Sequence, residues 1–260
     1  MNALVDVTLN HGIAHVILNR PNAYNAFDLK MITELAQQLT HIAMDPVVRG
    51  VLLAGEGKAF CAGGDLKWVV GYSKSAGASF HKLAAQFHAA ILEIRRMRKP
   101  VVAAVHGVAA GGGFSLAMAC DFRIMEQSAT LRQAYSSSGL CIDGGGTFTL
   151  PRLVGLARAM EIAAFDQPIS SQQALQWGLA TQVVADGTAR EAAITMLTRI
   201  TEGSLHAFGW AKRLLTDSFG HSLEFQLELE REGLSTCANH PEGMEGLTAF
   251  ITKRKPNFSK

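Results

Sequence analysis

Near its middle the chain reads Pro100-Val-Val-Ala-Ala-Val-His-Gly-Val-Ala-Ala-Gly-Gly-Gly-Phe-Ser-Leu-Ala-Met-Ala-Cys-Asp121. Pro100 ends any preceding helix, and Val101 to Val105 is an apolar run typical of a buried strand. The glycines Gly111 to Gly113 then predict a turn without bulky side chains, followed by the start of a helix. Such a turn leaves backbone N–H groups without partners inside the helix.

An earlier segment, Lys58-Ala-Phe-Cys-Ala-Gly-Gly-Asp-Leu66, has the same organisation. It follows the apolar run Val51 to Ala54, which reads as another buried strand, and it leads through a glycine turn into a helix start. Two N–H donors aimed at one point form an oxyanion hole, which stabilises negative charge that develops on a carbonyl oxygen. The two segments would form such a site if their turns face each other.

The rest of the chain predicts a mixture of helices and strands. His11-Gly12 separates two short apolar runs, which indicates a hairpin. Asp28 is a candidate N-cap for a helix that extends to about Ala43. The alternation of helix and strand along the chain predicts the α/β class. The other expected elements are strands at 5–9, 14–18 and 123–125 and helices at 71–98 and 155–164.

Only helical patterns follow residue 188, and they predict helices at 189–201, 205–219 and 223–238. Such a tail, with mixed polar and apolar faces, would pack on the core or on another subunit. We therefore expect a core at residues 1–195 and a C-terminal helical oligomerisation region at residues 196–260.

Composition narrows the class of protein. A hydrophobic content of 48% with 18% charged residues is typical of a folded globular enzyme. The net charge of +2 gives no reason to expect nucleic acid or a membrane as a partner. Four cysteines without a C-x-x-C pair predict reduced thiols and no metal site. Neither a signal peptide nor an apolar run of about 20 residues is seen, so a cytoplasmic location is expected.

Five motifs in order along the chain resemble the enoyl-CoA hydratase/isomerase (crotonase) superfamily. They are Leu18-Asn-Arg-Pro-Asn-Ala-Tyr-Asn-Ala26, Ala59-Phe-Cys-Ala-Gly-Gly-Asp65, Ala110-Gly-Gly-Gly113 with Ala119-Cys-Asp121, Asp143-Gly-Gly-Gly-Thr147, and Phe250-Ile-Thr-Lys-Arg-Lys-Pro-Asn-Phe258. The resemblance implies a spiral core of repeated ββα units and a C-terminal helical region. It also implies a homotrimer or a dimer of trimers, and an acyl-CoA thioester of fatty acid metabolism as substrate. No cofactor is expected, because coenzyme A is part of the substrate.

The resemblance also implies roles for particular residues. The backbone N–H groups of Ala62 and Gly112 match the oxyanion hole of the family. Phe250 and Lys253 would contact coenzyme A, often from a neighbouring subunit. The alternative for Lys253 is a solvated surface lysine. For Asp65 the alternative is a helix cap. The full expected coenzyme A set is Asn22, Ala23, Tyr24, Ala62, Gly63, Gly64, Asp65, Leu66, Phe250 and Lys253.

The chain departs from the hydratases at the residues that activate water. Ser115 and Tyr135 stand at the positions of the two family glutamates, so water addition through two glutamates is not expected. A serine hydroxyl is a poor general base without a partner. Asp143 lies where hydratases usually have glycine, and members that move double bonds or form aryl intermediates often carry an aspartate there. We therefore interpret Asp143 as the proton shuttle of an enoyl-CoA isomerase.

Alternatives remain at each of these positions. Asp143 would otherwise cap the glycine turn through its side chain. Tyr135 would otherwise be a packed aromatic residue, and Ser115 would pack at the start of a helix. Two other functions stay open: a hydratase with a non-standard site, in which Ser115 or Tyr135 holds water, and a non-catalytic acyl-CoA-binding subunit.

Overall fold

The computed structural model describes residues 3–258. Its strands are β1 (Val5–Asn10), β2 (Ile13–Leu18), β3 (Gly50–Gly55), β4 (Val101–Val105), β5 (Val108–Ala110), β6 (Phe122–Glu126), β7 (Thr130–Arg132), β8 (Ile169–Ser170) and β9 (Gln182–Val184). Its helices are α1 (Leu29–Met44), α2 (Leu66–Tyr72), α3 (Ala76–Arg96), α4 (Gly112–Ala119), α5 (Gly146–Phe165), α6 (Ser171–Gln176), α7 (Ala189–Thr201), α8 (Leu205–Asp217), α9 (Leu223–Asn239) and α10 (Pro241–Ile251). The predicted α/β class is confirmed.

The strands form two sheets. The larger has the order β1-β2-β3-β4-β6-β9, and the smaller has the order β5-β7-β8. β1 and β2 form the predicted hairpin, and the other neighbours in the larger sheet are parallel. His11 and Gly12 join the hairpin with φ angles of 47° and 77°. Positive φ at both central residues gives a turn whose twist matches that of the strands.

A repeated path links the two sheets. The chain passes from β4 through β5 to α4, and then from β6 through β7 to α5. β4 lies parallel to β6 in the larger sheet, and β5 lies parallel to β7 in the smaller one. The second ββα unit therefore repeats the course of the first, one strand further along both sheets.

Both faces of the larger sheet are covered. Val51 and Leu53 belong to the core that contains the buried faces of α1 and α3. Leu52 and Ala54 point to the opposite face, where α7 packs on the sheet. Successive side chains of a strand alternate between faces, and a strand that is covered on both sides must be apolar throughout. This explains the unbroken apolar runs in β3 and β4.

The structure corrects several predicted elements. Residues 71–98 are not one helix, because α2 ends at Tyr72 and Ser75 caps α3 by accepting from the Ala78 N–H at 3.3 Å. α5 begins near residue 146 rather than near 155, and Gly155 interrupts its geometry with a φ of 76°. The helix α10 and the short strands β5, β7, β8 and β9 were not predicted.

The C-terminal helices dock on the core through a buried ion pair. Lys212 Nζ of α8 lies 2.8 Å from Asp121 Oδ2 and also donates to the Ile94 carbonyl at 2.8 Å. The expected division at residue 195 falls inside α7, which packs on β3 and β4, so the division stays a prediction. Within residues 3–258, none of the helices has the length and apolar character needed to cross a membrane.

Candidate active site

The two glycine turns lie against each other. The Ala110 N–H donates to the Cys61 carbonyl at 3.0 Å, so the first turn extends the small sheet beside β5. A Cβ on Gly113 would lie 2.0 Å from the same carbonyl oxygen. A Cβ on Gly63 would lie 2.8 Å from the Gly112 nitrogen, and Gly63 also has a φ of +94°. Glycine is therefore required at both positions for the turns to meet.

A cavity opens beside the contact between the turns. Its apolar wall contains Phe27 and side chains of α3, among them Leu83 and Phe87. The predicted site residues that line it are Ala62, Gly64, Leu66, Gly112, Tyr135 and Asp143. The structure thus brings both turns and the candidate acid to one cavity.

The available N–H donors at this cavity differ from the expectation. The Ala62 N–H donates to the Tyr24 carbonyl at 3.0 Å, so it is not available to a ligand. Within residues 3–258, the N–H groups of Gly64 and Gly112 have no hydrogen-bond partner. Gly112 is the first residue of α4, where the helix dipole adds partial positive charge. The prediction is therefore wrong for Ala62, whose N–H is already used, and the N–H groups without partners at this cavity are those of Gly64 and Gly112.

Asp143 is held by contacts on one of its carboxylate oxygens. Oδ1 accepts from the Gly144 N–H at 2.6 Å and lies 2.5 Å from His88 Nε2. The alternative reading, in which the side chain caps the glycine turn, thus describes a real contact. In the described part of the chain, Oδ2 has no hydrogen-bond partner. The residue can therefore cap the turn and still offer one oxygen for a proton.

Ser115 and Tyr135 have different environments. The Ser115 hydroxyl is fully buried and donates to the Asp143 carbonyl at 2.6 Å. Its proton is thus already used to hold the loop that carries Asp143. Tyr135 lines the cavity, and burial raises the pKa of its phenol, which keeps the hydroxyl neutral and able to donate a hydrogen bond.

The expected coenzyme A residues fall into two groups. Asn22 and Ala23 form a short turn that leads into Tyr24, whose side chain is 53% exposed. The Ala62 N–H donates to the Tyr24 carbonyl, so this turn lies beside the segment that runs from Ala62 to Leu66. Phe250 and Lys253 lie at the end of α10, outside the lining of the cavity, and Phe250 is 84% exposed. Their contact with coenzyme A stays a prediction.

Asp65 has the structural role that was given as its alternative. It caps α2 by accepting from the N–H groups of Lys67 at 3.1 Å and Trp68 at 3.2 Å. Arg20 Nη2 also donates to it at 3.0 Å. Burial acts to raise the pKa of this carboxyl, but the hydrogen bonds from Trp68 and Arg20 outweigh it and lower the pKa.

His88 was missed by the sequence reasoning. It lies on α3 next to Phe87, but its partner Asp143 is 55 residues away in the chain, and no local pattern joins them. Cys61, in contrast, is chemically quiet, because burial raises the pKa of its thiol to about 12. Within residues 3–258, no group of three or more His, Cys, Asp or Glu side chains is placed to hold a metal ion.

Comparison with known proteins places this architecture in one family. The family model described as enoyl-CoA hydratase/isomerase matches residues 8–260. The chain is 34% identical over 263 residues to 1,2-epoxyphenylacetyl-CoA isomerase of Escherichia coli (strain K12), with 98% of this chain and 99% of the relative covered. It is 29% identical over 250 residues to 4-chlorobenzoyl coenzyme A dehalogenase-2 of Arthrobacter sp, with 96% and 91% covered.

A solved structure agrees with this assignment. The crystal structure of an enoyl-CoA hydratase from Polaromonas sp. JS666 superposes with a TM-score of 0.92 at 33% identity, covering 97% of this chain and 98% of that one. The chain therefore belongs to the enoyl-CoA hydratase/isomerase (crotonase) family, whose members act on acyl-CoA thioesters. The repeated ββα path described above is the spiral core of that fold.

Proposed function

We propose that this protein is an acyl-CoA isomerase that moves a carbon–carbon double bond in an enoyl-CoA. The observation that carries the proposal is that Asp143, with one carboxylate oxygen unpartnered, lines the same cavity as the unpartnered N–H groups of Gly64 and Gly112. A base next to an oxyanion hole suits proton abstraction from the carbon beside a thioester carbonyl. One relative is named as an isomerase of an acyl-CoA thioester, which supports isomerisation as the type of reaction.

The reaction needs one base and no added reactant. With a 3-enoyl-CoA, Asp143 Oδ2 takes a proton from C2, and the electron pair moves onto the thioester oxygen as a dienolate. The N–H groups of Gly64 and Gly112 stabilise this oxyanion by hydrogen bonds. Asp143 then returns the proton to C4, which leaves the double bond between C2 and C3. Substrate and product are isomers, so no atom is gained or lost in the reaction.

The surrounding residues support this step. His88 contacts Asp143 Oδ1, so it orients the carboxyl group and leaves Oδ2 for the substrate. Ser115 fixes the backbone of the same loop through the Asp143 carbonyl. The apolar wall formed by Phe27, Leu83 and Phe87 excludes water from the dienolate.

The coenzyme A moiety and the assembly belong to the same proposal. The turn at residues 22–24 and the segment 62–66 would hold coenzyme A, and Phe250 and Lys253 would reach it from a neighbouring copy.

Several large apolar side chains on the last two helices are exposed, which supports association into a homotrimer or a dimer of trimers. They include Leu234, Met244, Leu247, Phe250 and Ile251.

The test is to follow the conversion of a 3-enoyl-CoA to the conjugated 2-enoyl-CoA by ultraviolet absorbance. We expect turnover by the wild type and a loss of about 100- to 10,000-fold in kcat for Asp143→Asn, because the amide cannot take the proton. The absence of wild-type turnover, or full activity of Asp143→Asn, would overturn the proposal.

Water addition is a second candidate because of the contact between His88 and Asp143. In this reading Ser115 or Tyr135 holds the water, and Asp143, oriented by His88, is the base that takes its proton. Hydration of crotonyl-CoA that depends on both residues, at a rate above that of isomerisation, would favour this reaction. The substrate panel should also include 4-chlorobenzoyl-CoA, because one relative is named for its dehalogenation.

A further inference from the structure

A basic cavity lies apart from the cavity beside the glycine turns, which we call the acyl cavity. The basic cavity is bordered by the C-terminal half of α3, the start of α5 and α8, and its volume is about 620 Å³, the size of a small-molecule site. Among residues 3–258, none lines both cavities. Its charged lining consists of Arg95, Arg96 and Arg98 at the end of α3, which we call the arginine cluster, and of Lys212, Arg213 and Asp217 from α8.

Most of the positive charge at the basic cavity has no carboxylate partner. Lys212 is neutralised, because Asp121 and two backbone carbonyls accept its hydrogen bonds. Arg213 Nε lies 4.0 Å from Asp217 Oδ2, whereas no carboxylate of residues 3–258 lies within that distance of the arginine cluster. Four guanidinium groups and one carboxylate remain, which is an excess of three positive charges. The excess at this one cavity is larger than the net charge of +2 of the whole chain.

Uncharged groups hold three of the four guanidinium groups in place. Arg95 Nη2 donates to Thr216 Oγ1 at 3.3 Å. Arg98 and Arg213 both approach the buried ring of Trp210, with guanidinium carbons 5.4 Å and 5.6 Å from the ring centroid. These contacts order the side chains but use few of their N–H donors, so a ligand would find the donors already positioned.

Basic residues also favour the end of a helix, which is the alternative reading of the arginine cluster. A helix C-terminus carries only about half a negative charge, so it offsets a small part of the excess. The start of α5 acts in the opposite sense, because its N-cap Gly145 lines the basic cavity and a helix N-terminus is partly positive. Like charges gathered at one place repel each other, and a bound anion would relieve this repulsion.

We propose that the basic cavity binds a polyphosphate group, such as the triphosphate of a nucleotide. A planar guanidinium group donates two parallel hydrogen bonds to a phosphate, and several phosphates in a row match several arginines. A single carboxylate would leave most of the excess charge without a partner. Ile91, Leu92 and Phe148 also line the cavity, and they offer apolar surface to an organic group attached to the polyphosphate.

Calorimetric titration with inorganic triphosphate tests the site. Butanoyl-CoA is present at saturation, so that phosphate-binding groups of the substrate site are occupied. We expect saturable binding by the wild type and at least about tenfold weaker binding by Arg96→Gln, because hydrogen bonds between charged groups are lost. Arg199→Gln is the matched control, since Arg199 is also an exposed arginine in the last turn of a helix, and its affinity should stay within about twofold.

Three results would overturn the proposal. The first is the absence of triphosphate binding by the wild type, and the second is equal affinity of Arg96→Gln and Arg199→Gln. The third is binding that occurs without butanoyl-CoA and disappears when butanoyl-CoA is added, because the triphosphate would then occupy the substrate site.

Titration with ATP identifies the source of the polyphosphate group. Tighter binding of ATP than of inorganic triphosphate would support a nucleotide whose organic part contacts the apolar wall of the basic cavity. Equal affinities would support a free polyphosphate, for which the arginines alone are sufficient.

An acidic segment of a second copy is the competing occupant. Helix α9 carries four glutamates and a single arginine, namely Glu224, Glu228, Glu230, Glu232 and Arg231. If α9 of another copy covered the basic cavity, the wild type would not bind triphosphate, and Arg96→Gln would weaken the assembly. Analytical ultracentrifugation of both proteins measures this effect, and that combination of results would overturn the proposal.

The polyphosphate site does not depend on the isomerase assignment. Triphosphate binding that is weakened in Arg96→Gln, without turnover of any 3-enoyl-CoA, would retain the site and overturn the isomerase. Turnover that depends on Asp143, without triphosphate binding, would retain the isomerase and overturn the site.

Discussion

His88 Nε2 lies 2.5 Å from Asp143 Oδ1, which joins the middle of α3 to the loop before α5 across 55 residues of chain. The contact occupies the same oxygen that accepts from the Gly144 N–H. Both donors therefore act on one side of the carboxyl group, and the other oxygen is left for the substrate. His88 itself does not line the acyl cavity, so it acts through Asp143.

The first prediction follows from this indirect position. His88→Ala should lower kcat for 3-enoyl-CoA isomerisation by about 10- to 100-fold, because a hydrogen bond to a charged group is lost. KM should stay within about twofold, because no cavity wall is altered. Steady-state kinetics measure both values. His41→Ala, an exposed histidine on α1, is the control and should match the wild type. A rise in KM at constant kcat would contradict the positioning role.

The second prediction concerns the oxyanion donors. Gly64→Pro removes the N–H, whereas Gly64→Ala keeps it. The added Cβ of the alanine fits, because its nearest atom is Leu83 Cδ2 at 3.5 Å. We expect Gly64→Pro to lose about 100- to 1,000-fold in kcat, the cost of one oxyanion donor, and Gly64→Ala to lose far less. Binding of cinnamoyl-CoA gives a second measurement, because polarisation of its carbonyl shifts the absorption to longer wavelength. A shift retained in Gly64→Pro would exclude Gly64 as a donor.

The sequence predicts the buried strands and the two glycine turns correctly because these features are local. An apolar run marks β3 or β4, and a Cβ clash explains why Gly113 must be glycine. The donor pair was predicted wrongly, since the use of the Ala62 N–H by Tyr24 depends on a loop that is distant in sequence. His88 was missed for the same reason. Short strands such as β8, with two residues, carry too little pattern to be recognised.

The third prediction addresses the contact between the turns. Gly113→Ala would bring a Cβ to 2.0 Å from the Cys61 carbonyl oxygen, and both groups belong to backbone that cannot move away easily. We expect a loss of about 3 kcal/mol in the free energy of unfolding, from overpacking. Urea denaturation is the measurement. Gly71→Ala is the control, because Gly71 lies in α2 and nothing lies within 4 Å of the added Cβ. Its free energy of unfolding should lie between that of the wild type and a value about 1 kcal/mol higher, because alanine favours a helix more than glycine does. A free energy of unfolding of Gly113→Ala equal to that of the wild type would contradict the close approach of Gly113 to the Cys61 carbonyl.

The fourth prediction concerns the docking of α8. Burial lowers the pKa of Lys212 and raises that of Asp121, although the two groups attract each other. Lys212→Met leaves Asp121 buried without its cation, and we expect a loss of about 3–5 kcal/mol in the free energy of unfolding. The double variant Lys212→Met/Asp121→Asn removes the isolated charge and should recover part of this loss. Equal stability of the single and the double variants would contradict a cost that arises from the unpaired carboxylate.

The fifth prediction uses the stacked histidines at the junction of α8 and α10. The rings of His206 and His240 are parallel, with centroids 3.8 Å apart, and His206 Nε2 is buried without a hydrogen-bond partner among residues 3–258. Burial lowers the pKa of His206 below 6.5, and His240 and Arg98 add to the effect, while Glu242 opposes it. A group whose pKa is lower in the folded state takes up its proton more readily when unfolded. Its contribution to stability is therefore complete above about pH 6.5 and is lost as the pH falls through the folded-state pKa.

His206→Phe keeps the ring stack and removes both the titration and the unpaired nitrogen. We expect the free energy of unfolding to rise by about 1 kcal/mol near neutral pH, because an unsatisfied buried polar atom is removed. Between about pH 8 and pH 5 the variant should also lose less stability than the wild type. Urea denaturation across this range measures both effects, with His41→Phe on the exposed surface as the control. An identical pH dependence in His206→Phe and the wild type would assign the acid sensitivity to other groups.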